Sequence, residues 1–348
     1  MAEGLGLQKQ WLVCITVGLL ILLLYWKVQL RWASSELQSS TNEKTQNVDV
    51  MRAFNPEEPF LYPDKEPGIM FVETSNSLKP SELTVCAIES AARTNPGKHV
   101  YYFMKGFNGN LSALKESSQK GIQLLFSFHN VTLLPLNLEE LFTKTPLLDW
   151  YKKTDPEKEK YWVHVLSDAC RIALLWKYGG IYLDTDVISL KPLEFINFTC
   201  EQSDNYANGA ALGFSRNHSF IRDCMIDYVE NYDGDRWGWQ GPDLITRMLK
   251  KWCRSEKLND FLNQKCQDVT FFPKDWFYPI SYMNWKVYFQ NDTWKKNSSV
   301  EDNFANSRGV HIWNFLSGRQ SNPIKETRSY MEYFFKNYCP TTYGALEQ

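Results

Sequence analysis

Two aspartates one residue apart, Asp184 and Asp186, close the apolar run IYLDTDVISL. Paired carboxylates repel each other unless a divalent cation or sugar hydroxyls engage them. Hard oxygen ligands suit Mg2+ or Mn2+, and either ion can grip a diphosphate. Upstream, SDACR carries Asp168 and Arg171, three residues apart and able to meet on one helix face. In isolation that spacing describes a surface ion pair worth roughly a few tenths of a kcal/mol. A lone DxD is equally common in ordinary turns. The combination is what carries chemistry.

The elements between these residues give it context. From Trp162 to Trp176 the apolar positions Trp162, Val165, Leu166, Ala169, Ile172, Ala173 and Trp176 form one helical stripe. His164, Ser167, Asp168, Arg171 and Leu175 lie on another face, off the stripe. Gly179-Gly180 should stop this helix tightly. A strand then follows and ends at Asp184-Thr185-Asp186, where residues two apart point the same way. Earlier, strand-like runs at 69–75, 99–104 and 131–135 alternate with helical runs at 83–93 and 138–142. Such alternation predicts an α/β domain with a mostly parallel, doubly wound sheet. Ligands in such folds sit beyond the carboxyl ends of the strands.

The 348 residues are 43% hydrophobic and 15% aromatic, so a large core is available and global disorder is excluded. Net charge is −2 and no basic cluster stands out, which argues against a nucleic-acid partner. Trp11–Trp26 is an uncharged apolar run bracketed by Lys9 and Lys27. It is expected to be an uncleaved signal-anchor, with 1–10 as a cytoplasmic tail; the rival is a cleaved signal peptide cut near Ala33 and Ser35. Basic residues flank both sides, so charge alone leaves orientation open. Residues 27–67 are expected to be a stem, and 68–348 the catalytic body. Six sequons argue for a lumenal body: Asn110, Asn130, Asn197, Asn217, Asn291 and Asn297. Outside the anchor there are seven cysteines; the closest pair, Cys253 and Cys266, is the expected disulfide.

The string SDACRIALLWKYGGIYLDTD resembles the SDxxRxxxLxxxGGxYxDxD signature of glycosyltransferases with the GT-A, Rossmann-like fold. More closely, the chain is similar to the α-1,4-glycosyltransferase family through FVETSNS, IESAARTNP, TPLLDWY, WGWQGPDLITRMLKKWC, FYPISYMNW, HIWN and CPTTY. The match spans about residues 68–343. Implied by that resemblance is a retaining, UDP-sugar-dependent enzyme using Mn2+ (or Mg2+). Asp168 and Arg171 would bind donor-sugar hydroxyls, Asp184 ribose and sugar, and Asp186 the metal. Phe71, Glu73 and Thr74 fall at the uridine-binding strand end. His311 and Trp313, in GVHIWN, would complete metal and diphosphate binding, or His311 is an ordinary buried strand residue. Gln240, Asp243 and Asn208 are candidates near the anomeric carbon, with a helix N-terminal role as the alternative for Asp243. The aromatic tract Phe271–Phe289 offers either an acceptor wall or core packing.

The resemblance also implies a Golgi membrane protein, single-pass and type II, with homo-oligomerisation left open. Its expected acceptor is a glycan or glycolipid with terminal β-galactose. KYGGIY, DVIS, FYPISY and TRML favour N-acetylglucosamine transfer to O-glycans; NGA, KKWC and CPTTY favour galactose transfer to lactosylceramide. Two rivals remain from other classes. One is a non-enzymatic lumenal carbohydrate-binding or scaffold protein. The other is a haloacid-dehalogenase-type phosphatase, weakened because Ile188 stands at the motif's Thr/Val position.

Overall fold

Residues 68–116, 118–293, 300–317 and 324–346 are described in the computed structural model. The expected tail, anchor and stem (1–67) and the sequon at Asn297 lie outside the described residues. Among the described residues, no helix is long and apolar enough to cross a membrane.

The first strands are β1 (Ile69–Glu73), β2 (Val100–Met104), β3 (Val131–Pro135) and β4 (Gly180–Leu183). Next come β5 (Val187–Ser189), β6 (Phe198–Ser203) and β7 (Tyr206–Phe214), then β8 (Gln264–Cys266), β9 (Val269–Phe272) and β10 (Gly309–His311). Eight of them form one sheet in the order β3-β2-β1-β4-β7-β6-β9-β8, while β10 pairs with β5 apart from it. β1 lies parallel to both β2 and β4, and its IMFVE sequence is buried on both faces, as a central parallel strand requires. The winding runs from β1 outward to β3, then returns to place β4 on the other side of β1. That reversal is a topological switch point, where a crevice opens at the carboxyl ends of the two strands.

The sheet is mixed, with parallel pairings in the majority as expected. β4–β7, β6–β7 and β8–β9 are antiparallel, against four parallel pairings. The sequence cue for this was present in Asp204-Asn205, a two-residue hairpin loop with Asn205 at φ 56°. The helix Trp162–Tyr178 departs from expectation. Its polar face is largely covered as well, with Asp168, Arg171 and Leu175 buried and His164 and Ser167 partly so. Part of that cover is the helix Ser219–Glu230, whose Tyr228 hydroxyl donates to the Val165 carbonyl at 2.7 Å. At its end Gly179 takes φ 69°, and a Cβ there would lie 2.6 Å from the Arg216 amide nitrogen. Only glycine fits that turn.

Cys253 and Cys266 are joined, closing the hairpin region after the helix Pro242–Cys253. A second disulfide, Cys86–Cys339, spans 253 residues and has no local sequence signal. Among the described residues Cys170, Cys200 and Cys224 are buried free thiols. Asn110, Asn217 and Asn291 are exposed, and Asn197 is half-buried. Asn130 is different. It is 6% exposed, and its amide nitrogen donates to the carbonyls of Ala92 and Lys98, both at 3.1 Å. The atom a sugar would occupy is spent on the fold, which corrects the sequon reading at this position.

The second disulfide lies beside a buried carboxylate. Glu89, on the helix Glu82–Thr94, accepts from the Thr341 and Thr342 amides at 2.9 and 2.8 Å and from the Thr342 hydroxyl. It thereby caps the helix Pro340–Ala345 from across the molecule. Glu89→Ala should lower unfolding free energy by roughly 2–4 kcal/mol, because buried donors lose their acceptor. Chemical denaturation checks this; a loss below about 1 kcal/mol would mean the cap holds nothing.

Candidate active site

The carboxyl end of β4 is where the chain leaves the main sheet. The Asp184 amide donates to the Ala210 carbonyl at 2.8 Å, and the Val187 amide returns to the Asp184 carbonyl at 3.0 Å. Asp184-Thr185-Asp186 is therefore a tight turn between β4 and β5, not the end of a strand. Strand alternation does not bring the carboxylates together; the turn and the partner strand do. β10 lies antiparallel to β5 and sets His311 opposite Val187. The Ile312 amide donates to the Asp186 carbonyl at 3.0 Å, and the Asn314 amide to Asp186 Oδ2 at 2.8 Å. His311 Nε2 stands 3.2 Å from Asp186 Oδ1.

Asp184, Asp186 and His311 thus offer ligand atoms that all lie within 4.8 Å of one another. Two carboxylates and an imidazole form a donor set that fits a divalent cation. His311 Nδ1 is buried and has no hydrogen-bond partner. Burial works against the charge on both groups of the ion pair. Even so, Asp186 raises the His311 pKa, and His311 with the Asn314 amide holds Asp186 below its ordinary value. A bound cation would replace that proton, since imidazole ligates only when neutral.

Arg171 ties the other half together. Its Nη2 lies 3.1 Å from Asp168 Oδ1 and 3.1 Å from Asp184 Oδ1, with all three side chains largely enclosed. The Tyr182 hydroxyl donates to the same Asp184 oxygen at 2.7 Å. Burial pushes the Asp168 carboxyl up to about 6, against the opposing pull of Arg171. Gly241 abuts this pair: a Cβ there would sit 2.8 Å from Asp168 Oδ1. Its neighbour Gln240 is 1% exposed, with Nε2 donating to the Tyr228 carbonyl and Oε1 left without a partner.

Several expected contacts are occupied otherwise. Phe71 is fully buried in the core and cannot face a uracil. Glu73 accepts from the Ser75 amide, and the Thr74 hydroxyl donates to the Val163 carbonyl, so both shape the loop after β1. Asn208 accepts from the Ala210 amide and donates to Gln202. Asp243 takes its helix N-terminal role: its oxygens meet the Tyr206 hydroxyl at 2.7 Å and Arg236 at 3.4 Å. Trp313 has φ 58°, a costly conformation for a bulky residue. Its indole N–H donates to the Ile280 carbonyl, and its ring stands edge-on to His311 at 4.2 Å. It buttresses the histidine instead of presenting a free donor contact. Of the tract Phe271–Phe289, the rings of Phe271, Phe277, Tyr278 and Tyr288 are buried core, so the acceptor-wall reading fails for them.

Sequence reasoning passed over Tyr182, although its position two before Asp184 on one strand face was a usable signal. The Asn314 amide carried no signal, because a backbone donor has no residue type. A groove of about 550 Å3 along the helix Pro242–Cys253 shares only Asp243 with the candidates above. It is lined by cations such as Arg247, Lys250 and Arg254 and contains none of the convergent groups. The site is assigned by chemistry, at the switch point.

Comparison with known proteins gives the same location. Residues 81–204 match the family described as "Glycosyltransferase sugar-binding region containing DXD motif", which includes Asp184 and Asp186. Residues 213–346 match "Alpha 1,4-glycosyltransferase conserved region", which includes His311. The chain is 37% identical over 279 residues to the alpha-1,4-N-acetylglucosaminyltransferase of Homo sapiens, covering 80% of each protein. It is 44% identical over 284 residues to the lactosylceramide 4-alpha-galactosyltransferase of Gorilla gorilla gorilla, covering 81% of this chain and 84% of that one. The Homo sapiens counterpart is also 44% identical, with 81% and 78% covered. Likeness to solved structures is weaker: galactosyltransferase LgtC, crystallised with donor and acceptor sugar analogs, gives a TM-score of 0.39 at 15% identity, covering 81% of this chain and 96% of that one. With the carboxylate–histidine cluster and the Arg171 bridge in place, the extent of these sequence matches makes the conclusion direct: the chain belongs to the α-1,4-glycosyltransferase family.

Proposed function

We propose that this protein transfers a hexose from a UDP-sugar in α-1,4 linkage, with retained configuration, to a terminal β-galactose. The observation that carries the reading is the convergence of Asp184, Asp186 and His311 beside the Arg171-bridged Asp168. Mn2+ bound by that triad would neutralise charge developing on the departing UDP. Asp168 and Arg171 hold the hydroxyls of the donor sugar, and the enclosure of the pair keeps them oriented. Retention requires attack on the face from which UDP leaves. Neither Asp168, paired with Arg171, nor Asp243, held by Tyr206 and Arg236, is a free carboxylate nucleophile. A same-face departure is the route this supports.

N-acetylglucosamine is the donor favoured by the segment comparisons, with O-glycans as acceptor. Galactose transfer to lactosylceramide is the second reading, supported by the higher identity to the galactosyltransferases, 44% against 37%. Assay of the full-length chain with each UDP-sugar, with Mn2+ or chelator, should give acceptor-dependent UDP release with one donor. Chelation should abolish it, and Asp186→Ala should lower it by about 10^3-fold. Turnover that survives both would remove the metal from the mechanism.

Arg171 rests over Gly209, where a Cβ would come within 2.5 Å of Nη1. Gly209→Ala should therefore displace the guanidinium tip and cut kcat/KM by about 100-fold, with a loss of stability of up to roughly 3–5 kcal/mol where a buried charge is left uncompensated. Unchanged kinetics would show that the bridge is dispensable.

A lumenal body on a type II Golgi anchor is part of the same proposal. Two disulfides, the exposed sequons and the apolar run Trp11–Trp26 support it. Glycosidase digestion of the secretory-pathway protein should remove several N-glycans. Asn130→Gln should leave the number of glycoforms unchanged; loss of one would show that Asn130 is used.

A further inference from the structure

Large exposed hydrophobic side chains are usually scattered singly over a protein surface. Here two of them stack. Trp237 and Phe315 are 45% and 54% exposed, with ring centroids 4.1 Å apart and planes 18° from parallel. His164 stands edge-on to both, at 4.7 and 4.9 Å, and Tyr161 is edge-on to Trp237 at 5.2 Å. These rings come from three separate elements, and each element also carries a group of the active site. Trp237 is three residues before Gln240. Phe315 directly follows Asn314, whose amide holds Asp186. His164 lies one helical turn before Asp168. The aromatic cluster is thus tied on three sides to the groups that would hold the donor.

Resting on the functional reading above, we propose that an outer face of the Trp237–Phe315 stack, flanked by His164 and with one ring backing the other, is the platform for the terminal β-galactose of the acceptor. The stereochemistry of galactose fits a platform of this kind. Its axial O4 projects from one face of the ring, leaving the C–H bonds of C3, C4 and C5 clear on the other. That apolar face packs against an aromatic surface, whose electron-rich face attracts polarised C–H groups. Stacking there turns O4 away from the rings, and O4 is the atom that must attack in an α-1,4 transfer. Aromatic rings also fix a sugar at low entropic cost, because each has only two side-chain torsions to order. Most rings of the Phe271–Phe289 tract are core, and Tyr282 is its one large exposed ring among the described residues.

The test compares full-length wild type with Trp237→Ala, Phe315→Ala and Trp237→Phe. Lactose and N-acetyllactosamine serve as acceptors, and KM is measured separately for acceptor and UDP-sugar. Lactose binding in the presence of UDP and Mn2+ is read by saturation-transfer NMR. Each alanine variant should raise the acceptor KM at least ten-fold and leave the donor KM within two-fold, and Trp237→Phe should recover most of the loss. Saturation should fall most strongly on H3, H4 and H5 of galactose. An unchanged acceptor KM overturns the platform. So does a parallel rise in both KM values, which marks a latch between loops. Wild type that binds lactose on these rings without turnover overturns the functional reading and leaves the platform standing. Lactose neither bound nor turned over overturns the platform.

Discussion

A buried guanidinium has to be met by opposite charge, and Arg171 is met twice, by Asp168 and Asp184. Breaking one side of such an arrangement leaves an uncompensated charge, commonly at a cost of about 3–5 kcal/mol. The requirement propagates outward. Asp168 and Arg171 must sit one turn apart on the helix Trp162–Tyr178, and that helix must be covered on its polar side as well. Gly209 and Gly241 are the points where the cover comes close, one over Arg171 and one over Asp168. Asp184 is reached only because β4 follows the helix at once through Gly179-Gly180. One ion cluster therefore couples the helix, the central strand and the loop that carries Gln240.

The second cluster, Asp186 with His311, depends on a different device. β5 stands outside the main sheet and takes β10 as partner. That pairing brings a histidine from far along the chain to within contact of an aspartate two residues past Asp184. The main chain of 312–314 then fastens both the carbonyl and the carboxylate of Asp186. Trp313 accepts an unfavourable backbone conformation so that this short segment can turn beside the aspartate. Strain placed there is held by the Ile280 carbonyl and by the neighbouring rings.

Much of this was legible in the residues because it is written in short-range pattern. Strand and helix alternation located β1 to β4, and β3 and the helix Leu138–Phe142 fell at their observed limits. Apolar periodicity found the helix Trp162–Tyr178 and glycine pairing found its end. The reading failed where an outcome depends on who the neighbour is. Phe71 looks like a strand-end ligand contact, yet β1 lies in the middle of the sheet and buries it. Asn130 satisfies a sequon, but only the fold shows three backbone carbonyls around its amide. Asp243 and Asn208 carry suitable chemistry, and local hydrogen bonds consume it. The reach of Cys86 to Cys339 leaves no periodic trace at all.

That long closure bears on how the protein comes into being. Synthesis delivers residues in order, at roughly 5–20 per second. The helix Glu82–Thr94 is among the first elements made, yet its cysteine and its buried glutamate wait for partners at 339–342. Likewise Asp186 waits for His311. A nascent chain can build the parallel half of the sheet early, but it holds an incomplete carboxylate–histidine cluster and an unclosed seam until its last few dozen residues emerge. Activity and final stability then arrive together, so a chain that ends early would be recognisable to quality control as unfinished rather than persist as a partly working enzyme.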